Sequence, residues 1–105
     1  MDLVNLERFE EGKTLMRKTI PVARRVLGDD NDLTLRMRYC YAKALYADPD
    51  ATLDDVREAV TTLEETLPTA RRVLGGAHPI TMGIERHLRN AQAALRARET
   101  PPGSA

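Results

Sequence analysis

Apolar residues recur along this chain in steps of three and four. Leu53, Val56, Val60, Leu63, Leu67, Ala70 and Leu74 alternate between the two intervals, which places them on one stripe of an α-helix. Leu6, Phe9, Lys13, Met16, Ile20, Ala23 and Leu27 repeat that spacing, with Lys13 as the one polar break. A second helix type follows each stripe. Leu33, Met37, Tyr41 and Ala44 form its first instance, and Ile80, Ile84, Leu88, Ala91 and Leu95 the second. No segment alternates with the period of two that marks a half-buried strand. The pattern predicts four helices, at about residues 5–27, 32–47, 53–74 and 79–97.

The residues between the stripes agree with these elements. Asn5 and Thr52 stand at N-cap positions, and Thr52 with Asp55 makes a capping box with Asp where Glu or Gln is usual. Asn31 and His78 stand at the N-caps of the second and fourth helices, and Pro79 suits a first helical turn. Gly28 and Gly75 end the first and third helices. "ADPDAT", Ala47–Thr52, reads as a turn. Pro21 and Pro68 fall inside helices at matching register. A helix-interior proline costs ~3 kcal/mol, so each predicts a kink, or a stop and restart. The tail "ETPPGSA" carries no apolar pattern and is expected to be disordered.

The word "ARRVLG" occurs at Ala23–Gly28 and again, 47 residues later, at Ala70–Gly75. Laid over each other at that offset, Pro21–Leu35 and Pro68–Met82 agree at eight of 15 positions. A fixed period of this size is the signature of stacked helical repeats. It divides a repeat region, residues 5–97, into units of about 5–51 and 52–98. Within the repeated word, Ala and Leu belong to the core stripe. The Arg pairs, Arg24 with Arg25 and Arg71 with Arg72, complement the negative end of a helix.

These residues resemble the tetratricopeptide repeats of kinesin-light-chain type. "FEEG" and "VREA" stand where that family opens its second helix, "RVLG" where it closes it, "GGAHPIT" at its loop, and "YAKAL" in the helix that follows. The resemblance implies an all-α fold of antiparallel helical hairpins, stacked as a short right-handed solenoid of about four helices. It also implies that a peptide or helix of another protein is the ligand. The family often carries an Asn on the first helix that helps hold bound peptide; Tyr39 and Arg86 occupy the matching positions here.

Charge narrows the functional classes. Lys and Arg number 16, as do Asp and Glu, so the formal net charge is zero. That removes the electrostatic footprint of a nucleic-acid binder. The one cysteine, Cys40, cannot form an internal disulfide and fits a reducing compartment. No apolar run is long enough to span a membrane, and the acidic N-terminus lacks the layout of a signal peptide. A cytoplasmic location is the expectation.

Candidate chemistry is thin. Gly12-Lys13-Thr14 lacks the upstream Gly and preceding strand of a phosphate loop. Asp29–Asp32 lacks the alternating ligands, turn Gly and closing Glu of a calcium loop, and reads as a solvated stretch ahead of a helix. Cys40, His78 and His87 have no zinc-ligand spacing; Cys40 reads as a small buried hydrophobe and His78 as a cap. No nucleophile–base–orienter set is present, so the expectation is a protein without catalysis, metal or cofactor.

The remaining signal is a helix face. Arg36, Tyr39 and Lys43 lie three and four residues apart, and Arg86 and Asn90 take the equivalent face of the last helix. In stacked hairpins the first helices line the concave surface, so these five residues are the expected partner-binding site. The function they support is a scaffold or adaptor that docks a partner's peptide or helix. The alternative is a terminal structural fragment of a longer array, or a piece that self-associates through its first helix, with no ligand site of its own. There Leu3, Leu6 and Phe9 would face solvent, since repeat units do not bury their cores alone.

Overall fold

The computed structural model describes residues 3–99, with side chains from residue 8 onward. Four helices run in sequence: α1 (Leu3–Val26), α2 (Asp32–Ala47), α3 (Leu53–Val73) and α4 (Pro79–Glu99). No strand occurs among the described residues. Short connectors force sequential helices to turn back on one another. Thus α2 packs on α1 and α3, α3 packs on α4, and α2 also touches α4. The architecture is all-α, a TPR-like helical repeat.

The 47-residue recurrence extends to individual hydrogen bonds. Gly28 and Gly75 adopt φ of 92° and 93°, a left-handed conformation that closes each helix at little cost only in glycine. Around Gly28, the Leu27 and Gly28 amides donate to Ala23 and Arg24, and the Asn31 amide to Gly28; Leu74, Gly75 and His78 repeat these bonds on Ala70, Arg71 and Gly75. The next helix then locks onto the turn. Thr34 Oγ1 donates to the Ala23 carbonyl at 3.5 Å, and Thr81 Oγ1 to the Ala70 carbonyl at 3.3 Å. Both threonines are fully buried.

Three caps form as the sequence predicts. The Leu33 amide donates to Asn31 Oδ1 at 2.8 Å, and the Ile80 amide to His78 Nδ1 at 3.1 Å. Thr52 and Asp55 close a reciprocal capping box. The fourth position differs: α1 begins at Leu3, so Asn5 lies inside the helix and not at its start. Pro21 and Pro68 break neither α1 nor α3, both of which run through them. Glu99, placed in the tail by the sequence, still belongs to α4. The rest of the tail, and the side chains of Leu3 and Leu6, lie outside the described residues.

The α3 stripe is the centre of the core, with Val56, Leu63 and Ala70 almost wholly buried. On α4, Ile84 and Ala91 complete it. Three expectations fail. Leu27 is 43% exposed, because it follows the last residue of α1, where the chain leaves the helix for the turn at Gly28. The α2 stripe is also displaced. Leu33 is 54% exposed and Ala44 is exposed, while Leu35, Ala42 and Leu45 are buried. α2 has neighbours on several sides, so a single stripe cannot describe its burial. Cys40 is exposed rather than buried, since its flank of α2 faces an open cleft beside α1.

Candidate protein-binding face

α2 and α4 lie side by side, and Gly83 sets how closely. A Cβ built on Gly83 would stand 2.6 Å from Tyr39 Oη and 3.0 Å from its Cζ. Only a glycine leaves room for the phenol, whose hydroxyl end comes up against α4 at Gly83. The Tyr39 ring meets the His87 imidazole at 5.6 Å, centroid to centroid, and the Tyr46 ring meets it at 5.8 Å. The Tyr46 hydroxyl and His87 Nδ1 form a hydrogen bond. The Lys43 ammonium stands 5.8 Å over the Tyr39 ring, within reach of a cation–π attraction.

Electrostatics follow from this packing. Burial, then the charges of Arg86 and Lys43, hold His87 below the usual histidine range, so its neutral form is favoured. Burial pushes the Tyr46 phenol up, and the Asn90 amide opposes that shift. The band is therefore aromatic at its centre and positive at its rim.

Of the five residues expected here, Tyr39 and Lys43 meet directly. Arg86 and Asn90 sit exposed on α4 and act on His87 and Tyr46. Arg36 is drawn away: it is paired with Asp32 of its own helix at 2.8 Å. The sequence reading missed Gly83, His87 and Tyr46 as members. A glycine in a helix interior is the signal that could have found them, since it marks close approach of another element.

Behind the band, charges are matched internally. Arg17 pairs with Glu58 at 2.6 Å and donates to Tyr41 Oη at 2.9 Å, while Tyr41 is also hydrogen-bonded to Glu58. Burial, together with the Glu58 contact, pushes the Tyr41 phenol well up. Tyr41 is thus a buried strut between α1, α2 and α3. Its neighbour Arg38, nine-tenths buried on the same helix, reaches Glu65 at 3.4 Å. The repeated arginines do more than complement a helix end. Arg24 pairs with Asp29, Arg71 with Glu85, and Arg72 reaches back to Asp30 at 2.7 Å. The Asp29–Asp32 stretch is accordingly engaged in ion pairs.

Among the described residues, no group of three or more His, Cys, Asp or Glu could hold a metal ion. Nor, among these residues, is any helix long and apolar enough to cross a membrane. A family model described as tetratricopeptide repeat matches residues 1–32, which take in α1 and the turn after it. That match supports a tetratricopeptide repeat in this part of the chain. No curated protein and no solved structure matches the chain. Tetratricopeptide repeats as a class mediate protein–protein interaction and act as scaffold modules.

Proposed function

We propose that this chain is a non-catalytic protein-interaction module, a scaffold or adaptor of kinesin-light-chain type working in the cytoplasm. In this reading its units span about residues 5–51 and 52–98, the recurrence length of a helical repeat. The partner is a peptide or helix of another protein, docked on the α2/α4 face by Tyr39, Lys43, Arg86 and Asn90, with Arg36 at its edge. Neither nucleic acid nor membrane is a partner.

The observation that carries this reading is the aromatic band Tyr39–His87–Tyr46 with Lys43 and Arg86 beside it. Rigid amphipathic rings at the centre of a patch are the residues that anchor partners, and charged rims set specificity. A positive rim favours an acidic segment. The test is selection of peptides on the immobilised chain from a displayed library, followed by titration against variants. Lys43→Glu with Arg86→Glu is expected to weaken the selected peptides about tenfold or more without loss of helical circular dichroism. Unchanged affinity in that double variant would reject the face.

A further inference from the structure

A cleft of about 250 Å³ opens between α1 and α2. Phe9, Gly12 and Met16 line it from α1, and Cys40, Ala44 and Leu45 from α2, with Arg8 alongside. No residue of α3 or α4 lines it. Its wall is almost wholly apolar.

The 47-residue recurrence shows what such a surface is shaped for. Phe9, Gly12 and Met16 take the register of Val56, Ala59 and Leu63; Cys40 and Ala44 take that of His87 and Ala91. In the second unit those positions are covered. Val56, Ala59, Leu63 and Ala91 are almost wholly buried, and His87 lies against Tyr39 and Tyr46 of α2. The helix packed there on both α3 and α4 is α2. The α1/α2 cleft repeats that seat, small residues included, and no helix among the described residues fills it. Gly12 and Ala44, both exposed, allow a helix backbone to approach closely.

We infer that this cleft is a docking groove for one amphipathic α-helix of a partner protein, seated as α2 is seated on α3 and α4. By that register the helix presents large apolar or aromatic residues at the positions of Leu35, Tyr39, Leu45 and Tyr46, with a small one at Ala42. Arg8 at the edge favours an acidic residue on its flank. A second copy of the chain fits poorly. The same face of its α4 carries Glu85, Arg86 and Arg89 where α2 carries Arg38, Tyr39 and Ala42, and Arg86 and Arg89 are exposed. The groove does not depend on the α2/α4 face, because α2 offers Cys40 and Ala44 to one and Tyr39 and Lys43 to the other.

The probe is a fluorescent peptide of residues 31–48, with Cys40→Ser, stapled between positions 32 and 36 to hold it helical. It reproduces the helix that the equivalent seat already accepts. Saturable binding to the wild-type chain is expected. In the chain, Gly12→Leu is expected to weaken it at least tenfold, roughly the effect of losing a central anchor. A Cβ at Gly12 meets nothing within 4 Å, and leucine is the better helix former. The thermal midpoint of Gly12→Leu should therefore not fall. Lys43→Glu with Arg86→Glu in the chain should leave peptide affinity unchanged, which separates this groove from the α2/α4 face. Equal binding by Gly12→Leu and wild type, or no saturation by about millimolar peptide, would overturn the groove. A concentration-dependent dimer of the chain alone, abolished by Gly12→Leu in sedimentation, would overturn the assignment to a partner helix.

Discussion

The Lys13 ammonium lies 3.2 Å from both carboxylate oxygens of Asp55, 42 residues further along the chain. The side chains are 9% and 4% exposed. Each residue is an irregularity in the sequence, Lys13 as the polar break in an apolar stripe and Asp55 as the unusual acid of a capping box. The structure joins the two. Asp55 accepts from the Thr52 amide at 3.1 Å, completing the cap of α3, and holds α1 through Lys13. Burial pushes the Asp55 carboxyl up, but the Thr52 amide and the Lys13 ammonium outweigh it and hold it below the usual range.

Lys13→Met should therefore destabilise the fold, although it places an apolar residue on an apolar stripe. The cost expected is about 1–3 kcal/mol, that of a charge-assisted bond whose acceptor stays buried. Asp55→Ala should cost more, since it also removes a cap worth about 1 kcal/mol. The double variant should cost less than the sum. Urea denaturation of the three variants checks this, and strict additivity would show the pair to be uncoupled.

Thr81 and Thr34 provide a paired test of the recurrence. Thr81→Val keeps the volume and removes the donor to Ala70, at an expected cost of about 1 kcal/mol. Thr34→Val should cost the same or less, because its bond to Ala23 is longer. Thr→Ser at either site retains the hydroxyl and loses only a methyl. Chemical denaturation midpoints give the order.

Gly83→Ala sets two effects against each other. Alanine favours a helix interior by about 1 kcal/mol, but its Cβ collides with the Tyr39 phenol. Overpacking of this kind costs about 1–3 kcal/mol. A small net destabilisation is expected, with Tyr39 displaced from His87. The His87 ring resonances in NMR should shift, and Tyr39→Phe should relieve part of the cost by removing the nearest atom.

His87 makes stability depend on pH in a defined window. Its environment, Tyr39, Lys43 and Tyr46 from α2 with Arg86 and Asn90 beside it on α4, favours the neutral ring in the folded chain. As pH falls past the ordinary histidine value of 6.5, the unfolded chain takes up the proton first. Stability should decline from there until the folded chain is protonated as well. His87→Gln should flatten the dependence between about pH 7 and 5. A separate loss below about pH 4, where the unfolded Asp55 protonates before the folded one, should survive in that variant. Melting curves across this range read both.

Much of the fold was legible because its determinants are local. Stripes, caps and the two glycines are set by neighbours a few residues apart, and three of the four helices begin where the pattern puts them. α2 was misread because burial on several sides depends on helices distant in sequence. Leu33 fits the α2 stripe by spacing yet faces solvent, while Leu35 falls off the stripe and is buried. The candidate face was partly legible for the same reason. Tyr39 and Lys43 share a helix and could be paired by spacing. Their meeting with Gly83 and His87 depends on how α2 lies beside α4, which no local pattern encodes. Arg36 failed as a neighbour of Tyr39 because Asp32, one turn away, competes for it.

Cys40 is the one thiol in the chain, and it is exposed where it lines the α1/α2 cleft. Every maleimide or disulfide reagent therefore goes to a single address. The rate at which that thiol is modified is a direct gauge of whether anything sits in front of it, readable by mass spectrometry in a crude mixture as easily as in a pure sample.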